Sequence, residues 1–294
     1  MIYFFLFLLG LAVGSFINCL VYRLSFHLRG EKSSFGWTGA LAEGGGEHLG
    51  GGWSLLGGRS FCDHCRRQLA WYDNIPLLSF ILLGGRCRYC RLPIDWQYPL
   101  VELGTGIITI FIFFHLGGAE VVASSPPRWL TLIFLLLLTY ALIVIFVSDL
   151  NYQIIPDQVV YLAILISLIY QIFLHLPGVS PPAAGPLHLG GVLLASVVSA
   201  VFFFLLFYLT RGRGMGLGDV KLAALMGLFL GFPKIIIAFY LAFLTGAIFG
   251  VILVLLGKKK LGETIPFGPF LVAGTFISLF CGEIIWQKIV GGLL

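Results

Sequence analysis

Seven stretches of about twenty apolar residues run through this 294-residue chain, and they limit what it can fold into more than any other feature. They lie at approximately Ile2–Val21, Tyr98–Leu116, Trp129–Ser148, Gln158–Leu176, His188–Leu209, Lys234–Leu256 and Phe267–Ile289. A helix needs about 20 such residues to cross roughly 30 Å of hydrocarbon. An eighth stretch, Asp219–Phe232, is short, ends at Pro233 and reads as a tilted or half-buried helix. Only 11% of residues are charged and 59% are hydrophobic, whereas soluble domains carry about 25% charge. A water-soluble globule cannot hide that much apolar surface, and disordered chains are poor in apolar residues. The sequence therefore predicts an all-α polytopic membrane protein of about eight transmembrane helices, held in a lipid bilayer.

Charge predicts the orientation. Met1–Leu9 carries no Lys or Arg, and Arg23 follows the first apolar run. That order reads as an uncleaved anchor with its N-terminus outside. With eight spans, 15 of the 18 Lys and Arg fall in internal loops; Arg128, Lys234 and Lys288 fall outside. This is a strong positive-inside bias. The net charge of +5 thus describes membrane orientation and gives no reason to expect a nucleic-acid partner. The expected organisation is a first span at 1–21, a cytosolic loop at 22–97 and a membrane core at 98–294.

The long loop has two parts. Gly30–Gly58 is rich in Gly and Ser and reads as a flexible connector, or as an interfacial segment where Trp37, Trp53 and Leu55 interrupt it. Arg59–Tyr98 carries two C-x2-C pairs, Cys62/Cys65 and Cys87/Cys90, with 21 residues between them. Two such knuckles place four thiolates as tetrahedral Zn²⁺ requires. The spacing slightly exceeds the usual ribbon gap of roughly 15–20 residues. Two disulfides are the competing reading, which a cytosolic location disfavours. A closed four-thiolate, zinc-ribbon-like site is structural, because it leaves no open coordination position, and the bound metal would supply folding energy to a loop-rich module. Cys19 and Cys281 lie in spans and read as small apolar residues.

Ionisable groups in spans are costly and point to function. Asp149 ends the third span and Asp219 opens the short one, both at internal helix ends. A bundle can bring them together. Two close carboxylates share a proton, so one can act as base on a water and the other as acid on a carbonyl oxygen. Gly214, Gly216 and Gly218 strip side chains from the approach to Asp219. The plainer readings are a helix-capping Asp219 and an interfacial Asp149 in a tight turn. Asp157, after Pro156, reads as the N-cap of the fourth helix. Glu102 lies in the second span, and Glu283 near the external end of the last.

Taken together, these residues resemble the type IV prepilin peptidases, over nearly the whole chain. GSFINCLVYRL resembles the family's opening membrane segment. NIPLLSFILLGGRCRYC and YPLVE resemble its cysteine module and the start of its next span. DLNYQIIPD, GLGDVKLAALMG and IPFGPFLVAGT resemble its two aspartate regions and its closing segment. The resemblance implies an aspartyl peptidase of the bacterial inner membrane with Asp149 and Asp219 as the catalytic pair. The implied site faces the cytosol and cuts prepilins and pseudopilins after a leader-ending Gly. It also implies N-methylation of the new N-terminal residue from S-adenosylmethionine, associated with the cytosolic loop. Glu102, in YPLVE, is the candidate cofactor-binding residue; a buried acid paired with a loop Arg is the alternative. The Gly-rich stretch from Glu43 to Gly58 departs from the family's usual composition.

Two other classes compete. A carboxylate-coupled transporter would also carry intramembrane acids and Gly-broken helices, but near mid-membrane and in repeated halves. A membrane-anchored zinc-ribbon scaffold explains the cysteines and leaves Asp219 without a role.

Overall fold

The computed structural model describes residues 1–28, 60–62, 64–65, 67–118, 126–176, 189–212, 214–260 and 265–291. The Gly30–Gly58 connector, Asp63 and Arg66 fall outside the described residues. The elements in chain order are α1 (Ile2–Leu28), a 3-10 turn (Trp71–Asn74), α2 (Leu78–Leu82), α3 (Gln97–His115) and α4 (Pro126–Tyr152). Beyond these lie α5 (Asp157–Leu174), α6 (Leu189–Leu209), α7 (Leu217–Leu230), α8 (Lys234–Leu255) and α9 (Gly268–Gly291). Among the described residues there is no β-strand, only two isolated bridges, Phe61–Gln68 and Arg86–Pro93. Helices α1, α3, α4, α5, α6, α8 and α9 are each long and apolar enough to cross a membrane. The fold is thus that of an all-helical, multi-pass membrane protein.

The short stretch behaves differently. Helix α7 has 14 residues, about 21 Å of rise, too short for roughly 30 Å of hydrocarbon. Nine of its residues are buried, from Asp219 to Leu230. It is a core element packed against α5, α6 and α9, which is why its sequence is apolar all round.

The chain forms two compact units, Met1–Phe111 and Ile112–Leu294. In the first, α1 and α3 approach closely along glycines. A Cβ on Gly10 would lie 2.7 Å from Gly106 Cα, and one on Gly14 would lie 2.7 Å from Glu102 Cα. Small residues at such seams let helix backbones pack in lipid, where no hydrophobic force drives them together.

In the second unit, the buried face of α4 recurs every three or four residues: Phe134, Leu138, Leu142, Ile145. Buried positions in α5 (Val160, Ala163, Ser167, Gln171) and α6 (Val192, Ala195, Ser199, Phe203) keep the same period. Their outer faces expose large apolar side chains, such as Leu165 and Val201, as a lipid solvent permits. Helices α6 and α7 touch backbone to backbone at Gly227, whose added Cβ would lie 2.6 Å from Ala195 O. The Ser196 hydroxyl donates to Ala224 O at 2.8 Å beside this contact. Gly227→Ala therefore forces the pair apart. It should destabilise the purified chain by about 1–3 kcal/mol, read as a lowered unfolding midpoint in detergent.

Candidate active site and metal-binding module

Asp149 lies four residues beyond Ile145, so it continues the buried stripe of α4 and points inward at 5% exposure. The chain then reverses. Gln153, at φ +54°, donates its N–H to Asp149 O at 2.9 Å. The Ser148 hydroxyl donates to Ile154 O at 2.8 Å, pinning the turn from below. Ile155 is thereby set against the start of α7. A Cβ on Gly218 would lie 2.9 Å from Ile155 Cβ, so the last glycine of the G-x-G-D motif makes room for this contact.

Asp219 is the third residue of α7 and is 7% exposed. Its Oδ2 accepts the Gly216 N–H at 2.9 Å. Asp149 Oδ2 accepts the Gly268 N–H, also at 2.9 Å. A Cβ at residue 268 would come within 2.6 Å of that oxygen. Each buried carboxylate thus receives one backbone N–H from a glycine, and Gly268 cannot accept a side chain without moving Asp149. The two carboxylates, 70 residues apart in sequence, are close enough for their charges to interact. Such a pair can hold one proton between them and activate a water.

Asp157 differs from expectation. Pro156 occupies the cap position, and Asp157 is the first residue of α5, with no capping hydrogen bond. Its carboxylate instead meets Lys221 Nζ at 2.7 Å, a charged donor stronger than a backbone N–H. Lys221 also lies 5.2 Å above the Tyr161 ring. The pair ties the start of α5 to α7. Glu283 is paired with Lys234 at 2.8 Å, its side chain 63% exposed.

Gly268 and Ser148 were not legible as site residues. Gly268 stands between Phe267 and Pro269 in a motif-like stretch, but its task belongs to its N–H. Ser148 adjoins Asp149, which was its only signal.

In the first unit, Cys62, Cys65, Cys87 and Cys90 converge. Their sulfurs all lie within 4.8 Å of one another, and Cys62 and Cys90 are 3.9 Å apart. A tetrahedral metal with bonds of about 2.3 Å would set sulfurs about 3.8 Å apart. All four are free thiols. The backbone repeats the same turn at both pairs. Cys62 N–H donates to Arg67 O at 3.0 Å, and Cys87 N–H to Leu92 O at 2.9 Å. Arg91 takes φ +60° to close the second turn. Across residues 60–96 Cys87 is the one buried residue among those described. Among the described residues no buried hydrophobic cluster holds this module, and the donor set fits a metal ion. Arg88 and Asp73 add an ion pair at 2.8 Å. His64 is exposed and stands outside the thiol cluster.

Glu102 is 9% exposed at the start of α3. Its Oε2 accepts the Leu77 N–H at 2.8 Å, and the Ser15 hydroxyl donates to the same carboxylate. Leu77 is held at φ +57°, a costly angle for a branched side chain. Among the described residues no Arg pairs with Glu102, so its observed partners are a backbone amide and a hydroxyl.

An all-helical membrane protein with two buried, interacting acids and a four-thiol module is a narrow class. Residues 8–116 match the model of the bacterial peptidase A24 N-terminal domain, and residues 136–251 match the type IV leader peptidase family. The chain belongs to the type IV leader peptidase family. It is 33% identical over 283 residues to a prepilin leader peptidase/N-methyltransferase of Aeromonas hydrophila, covering 94% of this chain and 90% of the relative. It is 33% identical over 280 residues to the protein of that name from Pseudomonas aeruginosa, covering 94% and 89%. For that of Legionella pneumophila the values are 32% over 287 residues, 97% and 93%. No solved structure matches the chain.

The thiols predict how metal loading depends on pH. Burial pushes Cys62 up to about 12. At Cys87 the upward push of burial is outweighed by the N–H groups of Cys90 and Tyr89 and the neighbouring thiols, giving about 7. Cys62 therefore keeps its proton at neutral pH without a metal, and binding must displace it. Apparent metal affinity should rise from pH 6 to pH 8, with net proton release, in competition against a chelator. A Cys62→Ser/Cys87→Ser chain should retain no stoichiometric metal.

Proposed function

We propose that this chain removes the leader peptides of type IV prepilins and pseudopilins by an aspartyl mechanism and N-methylates the new N-terminus. The observation that supports the peptidase reading is a pair of buried acids, Asp149 and Asp219, whose charges interact and which each accept a glycine N–H. In this reading one carboxylate of the pair takes a proton from a water, which attacks the scissile carbonyl. The other gives its proton to the carbonyl oxygen, and the roles reverse as the amine leaves. The shared proton lets both steps run within one buried pair. With buried α7 counted as an eighth, shorter crossing, the positive-inside distribution supports an external N-terminus and a site facing the cytosol, in a bacterial inner membrane.

The methyl-transfer half belongs with the N-terminal region and its four-cysteine loop, the peptidase half with the helices from residue 98 onward. Zn²⁺ suits the four thiols, and as a closed site it would stabilise the module without entering the chemistry. S-adenosylmethionine is the methyl source in this reading. A groove of about 630 Å³ in the first unit, lined by Phe80, Ile81, Arg86, Trp96 and Leu103 among others, is of a size that takes such a ligand. Glu102 lies one residue from Leu103 and bonds Leu77, another lining residue.

Co-expression with a prepilin tests both halves, with mass spectrometry reporting the cleavage site and the added methyl group. Asp149→Asn and Asp219→Asn should each lower leader removal by about 10²–10⁴-fold while the chain still inserts. Near-normal processing by either variant would remove that residue from the pair. Gly268→Ala should also slow cleavage, because its Cβ displaces the Asp149 carboxylate.

A further inference from the structure

Asn18 is only half used. It is 6% exposed in α1, and its Nδ2 donates to Tyr98 O at 3.1 Å. Its Oδ1 is buried and, among the described residues, accepts no hydrogen bond. Turning the amide over does not help, since Oδ1 would then face the Tyr98 carbonyl. Ser15, one turn earlier in α1, gives its hydroxyl to Glu102. Glu102 is one turn beyond Tyr98 in α3. The contacts Asn18–Tyr98 and Ser15–Glu102 are therefore neighbouring rungs of one α1–α3 seam.

That seam gathers acceptors. It holds the amide oxygen of Asn18 and the carboxylate of Glu102, and the described residues place no cation beside them. A buried acceptor without a donor is a rare and costly feature, and native exceptions point to a missing partner. The partner that completes this arrangement carries several N–H donors and a positive charge. A water supplies no charge, and hard divalent cations take about six oxygens, more than the seam offers.

We propose that Asn18, Ser15 and Glu102 form a binding site for a primary ammonium group in methyl transfer. The proposal rests on the N-methyltransferase reading. Both reactants carry such a group: the N-terminus exposed by cleavage, and the amino-acid end of S-adenosylmethionine. With the N-terminus as the bound group, the ammonium first gives one proton to Glu102, which frees the nitrogen's lone pair. That lone pair forms the new bond to the methyl carbon, and the methyl–sulfur bond breaks with its electron pair left on sulfur. The product is a methylated ammonium, and the transferred proton rests on Glu102.

The test uses the full-length chain in nanodiscs. Binding is measured for a processed-pilin N-terminal peptide with a free amine and for its N-acetylated form. It is also measured for S-adenosylmethionine and for 5′-methylthioadenosine, which lacks the amino-acid end. The wild-type chain should favour one amine-bearing partner by about tenfold or more. Asn18→Leu and Glu102→Gln should each erase that preference. A preference within the peptide pair assigns the site to the substrate's N-terminus; one within the nucleoside pair assigns it to the cofactor. Asn18→Leu keeps the branched outline of the side chain but also removes the bond to Tyr98 O, so its melting temperature is read alongside to show that the variant chain is folded. Unchanged preference in both variants, or no preference in the wild type, overturns the site. A wild-type chain that shows the preference yet transfers no methyl group keeps the site and removes the methyltransferase reading. One that methylates without any preference does the reverse.

Discussion

Keeping two carboxylates inside an apolar bundle is the constraint on which the second unit depends. A buried acid without partners costs several kcal/mol or gives up its charge. Here each acid is met by a single N–H, from Gly216 and from Gly268. Those amides come from separate parts of the sequence, so α7 and α9 must both reach the end of α4. At Gly218 a Cβ would strike Ile155, and at Gly268 the Asp149 carboxylate itself, so these two positions are held to glycine by sterics.

The first unit meets the opposite problem. Its helices α1 and α3 pack along glycines, but among the described residues of 60–96 Cys87 is the only one that is fully buried. Folding free energy must come from elsewhere, and four sulfurs within 4.8 Å offer metal ligation as the source. The membrane part is held by packing, whereas the loop module offers a ligand set for coordination.

Much of this was legible in the sequence, for physical reasons. The long apolar runs are set by the thickness of hydrocarbon, so their helices can be read from composition. The cysteine pairs can be read from local turn geometry. Asp149 and Asp219 stand out because acids in spans are rare. Features that could not be read depend on backbone. Gly268 acts through its N–H, which every residue but proline has, and only its contact with Asp149 gives it meaning. Asp157 looked like a cap because capping is a local preference. Lys221, 64 residues away, takes its carboxylate from the helix end. Helix α7 was ambiguous because its burial comes from its neighbours.

The cysteine spacing shows how a small departure carries information. Each knuckle contact recurs 25 residues later: Cys62–Arg67 with Cys87–Leu92, and Leu69–Ser60 with Ile94–Gly85. The two cysteine pairs are therefore bracketed by the same two backbone hydrogen bonds, with a longer segment between them. It is filled by the 3-10 turn at Trp71–Asn74 and by α2. Leu77 sits between those two elements and gives its N–H to Glu102 in the membrane helix α3. A ribbon of ordinary spacing would have fewer residues for this excursion. The segment between the two cysteine turns is thus what connects them to the buried acid, and the strained angle at Leu77 is where that connection is made.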